Sequence, residues 1–79
     1  VDLKASNKKL EDRARRLIIH ATGARPDQAA DYLQRAGGHV KLAILMLESG
    51  LEAPEAQALL DRCEGRLAPA IQAAKEGER

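Results

Sequence analysis

Aromatic side chains are all but missing from this sequence: its 79 residues hold one Tyr and neither Phe nor Trp. That excludes the aromatic platforms on which single-stranded nucleic acids stack. It also leaves Leu, Ile, Val and Ala to build the core. One Cys cannot make an internal disulfide framework. One Cys and two His also argue against a dedicated zinc site, so no metal or other cofactor is expected. No uncharged run approaches the roughly 20 apolar residues of a membrane span, and no secretory signal is present. The expectation is a reducing, cytoplasmic setting without membrane contact. The net charge of +1 withholds the electrostatic attraction that dominates nucleic-acid affinity, so nucleic acid is not an expected partner. Val1 stands where an initiator Met would be, which fits a fragment or a processed chain.

What the sequence does contain is helical spacing. Hydrophobic residues make up 44% of the chain and charged residues 32%, and they alternate with period two nowhere over strand-like length. Five helical segments follow. The first spans about Lys8 to Ala21, with Asn7 as its N-cap and Thr22-Gly23 as its stop. The second starts on Pro26 and ends at Gly37-Gly38. The third runs from about His39 to Glu48, the fourth from about Pro54 to Gly65, and the fifth from about Arg66 to Lys75, with Pro69 in its first turn. Residues 1–7 read as a connector, extended over 1–6; residues 8–76 form the helical domain, and 77–79 a frayed tail.

An internal repeat organises these segments. A shift of 27 positions lays Ala29, Tyr32, Leu33 and Ala36 on Ala56, Leu59, Leu60 and Cys63. The same shift lays Val40, Ala43, Ile44 and Leu47 on Leu67, Ala70, Ile71 and Ala74. Each set has the spacing of a buried helical stripe. Gly23 and Gly38 fall on Gly50 and Gly65, and Leu17-Ile18 on Ile44-Leu45, so the third helix closes one three-helix unit and opens the next. Its stretch Val40 to Leu47 is apolar nearly all round and belongs at the centre. The expected fold is all-α: five short helices in two overlapping three-helix units that share the central helix.

Candidate functional residues are few. On the first helix, Leu10, Ala14, Leu17 and Ala21 form one stripe, expected to pack inward. Lys9, Arg13, Arg16 and His20 form an adjoining basic stripe, either a solvated face or a surface that meets a phosphate or an acidic partner. Ile19 points away from both and, with Arg13, Arg16 and His20, makes a candidate contact face for another domain. His39 reads as a surface residue of the third helix, Cys63 as a small buried hydrophobe, and Met46 as core filler. Glu52, Glu55 and Asp61 fall on helix surfaces or starts, and no pair of carboxylates is placed for acid–base chemistry. The aliphatic third helix, which offers Lys41 and little else to base edges, argues against a helix-turn-helix reader.

Val1-Asp2-Leu3, Ser6-Asn7-Lys8-Lys9-Leu10 and Arg13-Ala14 resemble the segment that follows the sugar-isomerase-type domain of bacterial N-acetylmuramic acid 6-phosphate etherases. Ala21-Thr22-Gly23, the run Ala36-Gly37-Gly38-His39-Val40-Lys41-Leu42-Ala43-Ile44-Leu45-Met46, and Gly50-Leu51 continue the resemblance in order. It covers the first two-thirds of the chain well and the fourth helix more loosely. The glucokinase regulatory protein carries a similar helical lid, and each three-helix unit is similar to ubiquitin-associated domains. The resemblance implies a cytoplasmic, metal-free enzyme, a homodimer, that cleaves the D-lactyl ether of N-acetylmuramic acid 6-phosphate. Its acid–base carboxylates would lie in the preceding α/β domain, which would be this segment's partner, and the segment alone would not be catalytic. The resemblance also carries a sugar-phosphate contact, formed only in the full-length protein, onto Asn7 and Lys9. The bland counterpart is a capping Asn7 and a solvated Lys9. The alternative function is a peptide- or protein-binding module with no enzymatic role. Ubiquitin-binding relatives present a Met-Gly-aromatic loop where this chain has Thr22-Gly23-Ala24, a departure that argues against ubiquitin.

Overall fold

Glycine-marked breaks and the helical stripes between them give five helices in the computed structural model, which describes residues 3–77, with side chains from 9 to 76. They are α1 (Leu3–Thr22), α2 (Pro26–Arg35), α3 (Val40–Ser49), α4 (Ala53–Arg62) and α5 (Leu67–Gly77). No strand occurs among the described residues. The all-α expectation and the helix count hold. Helix α1 begins earlier than expected: residues 3–6 are helical rather than extended, and Asn7 lies inside the helix instead of capping it. The reason is local. Leu3-Lys4-Ala5 and Lys8-Lys9-Leu10 are good helix formers, no Pro or Gly interrupts them, and an interior Ser or Asn costs well under about 1 kcal/mol. Gly77, read as part of the tail, closes α5. Residues 1, 2, 78 and 79 of the expected connector and tail lie outside the described residues.

Helix α3 holds the fold together. Its Leu42, Ala43, Ile44, Leu45, Met46 and Ser49 are all buried, and Val40 and Leu47 pack half-buried against the same core. Helices α1, α2 and α3 pack on one another, as do α3, α4 and α5, so that α3 is the element common to both groups. Two units in a row give an elongated body of 48 × 24 × 17 Å. Burying each large aliphatic side chain contributes roughly 1.5–3 kcal/mol, and α3 alone supplies Leu42, Ile44, Leu45 and Met46. The duplication is visible atom by atom. Ala29 and Ala56, Ala43 and Ala70, and Ile18 and Leu45 are each 0% exposed. At the end of α1, Thr22 Oγ1 donates to the Ile18 carbonyl (2.7 Å) and accepts from the Ala24 N–H (3.1 Å). At the end of α3, Ser49 Oγ donates to the Leu45 carbonyl (2.6 Å) and accepts from the Leu51 N–H (3.1 Å). A short hydroxyl one residue before the turn thus closes both helices in the same way.

The α2–α3 and α4–α5 turns also match. The Gly38 and Gly65 N–H groups bond to the Leu33 and Leu60 carbonyls, each at 2.9 Å, which satisfies carbonyls that a helix end leaves open. The residue before each is left-handed: Gly37 at φ 66° in the first turn, Glu64 at φ 59° in the second. A side chain in that conformation costs roughly 1–2 kcal/mol, part of which a glycine returns through its freer unfolded state. Glu64→Gly is therefore expected to stabilise the chain by about 0.5–1 kcal/mol and raise Tm by about 4 °C in a thermal melt. A lowered Tm would show that the Glu64 side chain supports the turn. Lys41 ties the units together, its Nζ donating to the Gly65 carbonyl at 2.9 Å, where a cation meets the carbonyl end of a helix.

Two packing expectations need correction. On α1 the buried residue is Ile18, with Ala14 and Ile19 half-buried against the core. Leu10 and Leu17, expected inside, are 61% and 52% exposed, and Ala21 is exposed too. Two apolar arcs lie about 100° apart on this helix, and periodicity does not choose between them. Nor does the repeat, which pairs Leu17 with buried Ile44 as it pairs Ile18 with buried Leu45; packing against α2 and α3 decides. Cys63 packs against the core but stays half-exposed, because it sits at the C-cap of α4, where the chain turns outward.

Candidate functional site

Once α1 is set down on Ile18, its opposite side faces out and carries the basic stripe. Lys9, Arg13, Arg16 and His20 are all exposed. With Asp12 and Leu17 they line a shallow groove of about 630 Å³ along the helix. The one carboxylate in it, Asp12, is paired with Arg15. Among the described residues none of Lys9, Arg13 and Arg16 joins an ion pair. The groove is therefore a cationic strip with an apolar notch at Leu17, and Leu10 stands exposed beside it. From Lys9 to His20 it runs about 16 Å along the axis at 1.5 Å per residue.

The sequence brings four of the expected residues to this strip. Lys9, Arg13, Arg16 and His20 share one face, as their spacing predicts. Ile19 does not join them; it is half-buried against the core, and Leu17 takes its place as the exposed apolar residue. The start of α1 at Leu3 puts Asn7 and Lys9 in the helix's second turn, beyond the first turn where the helix dipole favours anions. The side chain of Asn7 lies outside the described residues. Leu10 and Leu17 are the functional candidates that periodicity missed, and the repeat gave no signal for them, since it pairs Leu17 with buried Ile44 as it pairs Ile18 with buried Leu45.

No second constellation competes. Ser49 is the one buried polar residue among those described, and its hydroxyl is fully engaged in closing α3. No group of three or more His, Cys, Asp or Glu side chains gathers as a metal site among the described residues. His39 is exposed at the N-cap of α3. Arg25 binds Asp27 through two contacts of 3.0 and 3.3 Å and holds that exposed carboxyl below its ordinary range. The Arg35 guanidinium lies 4.9 Å over the Tyr32 ring; both are surface arrangements on α2. Among the described residues no helix is long and apolar enough to cross a membrane.

Fold and site together describe a small helical module with a cationic outer face and no buried ionisable group among the described residues. The chain is 53% identical over 78 residues, 99% of its length, to the N-acetylmuramic acid 6-phosphate etherase of Deinococcus radiodurans. It is 46% identical over 71 residues, 90% of its length, to that of Clostridioides difficile, and 48% identical over the same length to that of Actinobacillus succinogenes. It spans only about a quarter of these relatives, 25%, 23% and 23% of their lengths. Neither a protein-family model nor a solved structure matches it. The chain thus corresponds to a helical part of N-acetylmuramic acid 6-phosphate etherases.

Proposed function

We propose that this segment is the C-terminal lid and dimer-contact domain of a cytoplasmic N-acetylmuramic acid 6-phosphate etherase. The intact protein is a carbon–oxygen lyase that needs no metal. It cleaves the D-lactyl ether of its substrate to N-acetylglucosamine 6-phosphate and D-lactate, a step in recycling cell-wall sugar. The carboxylates that move protons lie in the preceding sugar-isomerase-type domain of a homodimer. The lid consists of two ubiquitin-associated-like units that share α3. The observation that carries this reading is the identity over 99% of the chain to a quarter of an etherase. That pattern is what a domain of a larger enzyme leaves, whereas a free-standing peptide-binding module would match its relatives end to end.

Within the lid, Asn7 and Lys9 approach the sugar phosphate. Lys9 suits that role, since it is exposed at one end of a strip that already concentrates positive charge. A phosphate remote from the ether contributes binding of similar strength in ground and transition states. Lys9→Ala in the full-length enzyme is therefore expected to raise KM about tenfold, the loss of one charge-assisted contact worth about 1.5 kcal/mol, with little change in kcat. Steady-state kinetics on the ether substrate make the test. An unchanged KM removes Lys9 from the phosphate, and no ether cleavage by the wild-type full-length protein removes the reading altogether.

A further inference from the structure

The internal repeat says which face of each unit looks back along the chain. In α5, whose packing partners α3 and α4 both precede it, Ala70 and Ala74 are buried and Leu67 and Ile71 lie half-buried against the core. One repeat earlier, these positions are Val40, Ala43, Ile44 and Leu47 of α3. One repeat earlier again, they are Arg13, Arg16, Leu17 and His20 of α1. The face that α5 and α3 turn toward the preceding helices is therefore the face that α1 leaves open. In α1 two arginines and a histidine replace aliphatic side chains, and Leu17 alone keeps the apolar character.

From this register we infer that Arg13, Arg16, Leu17 and His20 form the seat on which the lid docks against a carboxylate-bearing surface of its own polypeptide. The inference rests on the reading in which the remainder of the etherase precedes α1. Charge complementarity sets the partner's chemistry: no carboxylate within the described chain pairs with Arg13 or Arg16, so the partner supplies them. Size excludes a lone phosphate as the occupant of the whole face. From Arg13 to His20 the seat is about 10 Å long and carries an apolar notch, with Leu17 52% exposed, which suits a protein surface with a hydrophobic spot between acidic side chains. Docking in cis is taken from connectivity, since the seat lies on α1, the helix that the preceding part of the polypeptide would enter. At 20 residues it is twice as long as α2 and α3, the 10-residue helices it packs with. A seat built from guanidinium groups rather than aliphatic side chains is also one that can open, because its partners regain full hydration when they part.

Zero-length carbodiimide coupling, which joins an amine only to a carboxylate in direct contact, tests this in the full-length etherase that carries the segment. Arg16→Lys supplies the amine at the seat, and Gln72→Lys, at the exposed outer side of α5, supplies the control. The expected result is a new amide between Lys at position 16 and an Asp or Glu outside the 79 residues of the same polypeptide, with none for the control. A crosslink that doubles the mass, an equal yield from the control, or no new crosslink would each overturn the proposal. Etherase activity is assayed on the same sample. An inactive protein that still gives the crosslink sinks the functional reading and leaves the seat standing; an active protein without the crosslink does the reverse.

Discussion

Ala43→Asp is expected to leave the chain unfolded at room temperature. Ala43 is 0% exposed in the middle of α3, the helix against which both three-helix units pack. A carboxylate there has no cation to meet, since the nearest on the helix, Lys41, is held at the Gly65 carbonyl. Burying an unpaired charge costs several kcal/mol, and forcing extra volume into a packed site adds roughly 1–3 kcal/mol. A domain of this size has about 4–12 kcal/mol in total, at 0.05–0.15 kcal/mol per residue. The substitution consumes all or most of that. Ala68→Asp is the matching control, because Ala68 is exposed in the first turn of α5, where a negative charge is favourable. Far-UV circular dichroism and thermal melts separate the two: the first variant should show no cooperative transition, the second a Tm close to wild type. A native melt for Ala43→Asp would mean that α3 is not the centre of the fold.

The second large effect is a contrast between neighbours. Ile18→Ala removes most of a side chain that is 0% exposed and sits where α1 meets α2 and α3, so a loss of about 2–4 kcal/mol is expected. Leu17→Ala removes a side chain that is 52% exposed and should change stability by no more than about 0.5 kcal/mol. Urea unfolding of both variants reads the difference as a shift in midpoint at constant slope. If Leu17→Ala proves the costlier, α1 sits rotated by about one residue, and the cationic strip would then face inward.

That contrast also marks where the sequence was legible and where it was not. The breaks were plain because they are chemical: Thr22-Gly23 and Ser49-Gly50 combine a hydroxyl that closes the last turn with a glycine that reverses the chain. The shared central helix was plain because Val40 to Leu47 has too few polar residues to show a face to water. The start and rotation of α1 were less clear. Asn7 is a good cap by type, yet nothing obliges a helix to begin at a capping residue when Leu3, Lys4 and Ala5 before it favour the same conformation. Leu10 and Leu17 make as good a stripe as Ala14 and Ile18, and only contact with α2 and α3 decides between them. The basic strip was legible as a stripe on the helix, but not as the outward face opposite Ile18.

Native-state hydrogen exchange on the 79-residue chain bears most directly on the claim that one helix joins two units. If α3 is shared, its Ala43 to Met46 amides lie in the core of both halves. They should exchange only through global unfolding, with the same free energy that denaturant melts report and the highest of any helix. Faster exchange there than in α2 or α4, or two halves that open independently with α3 following only one of them, would contradict it.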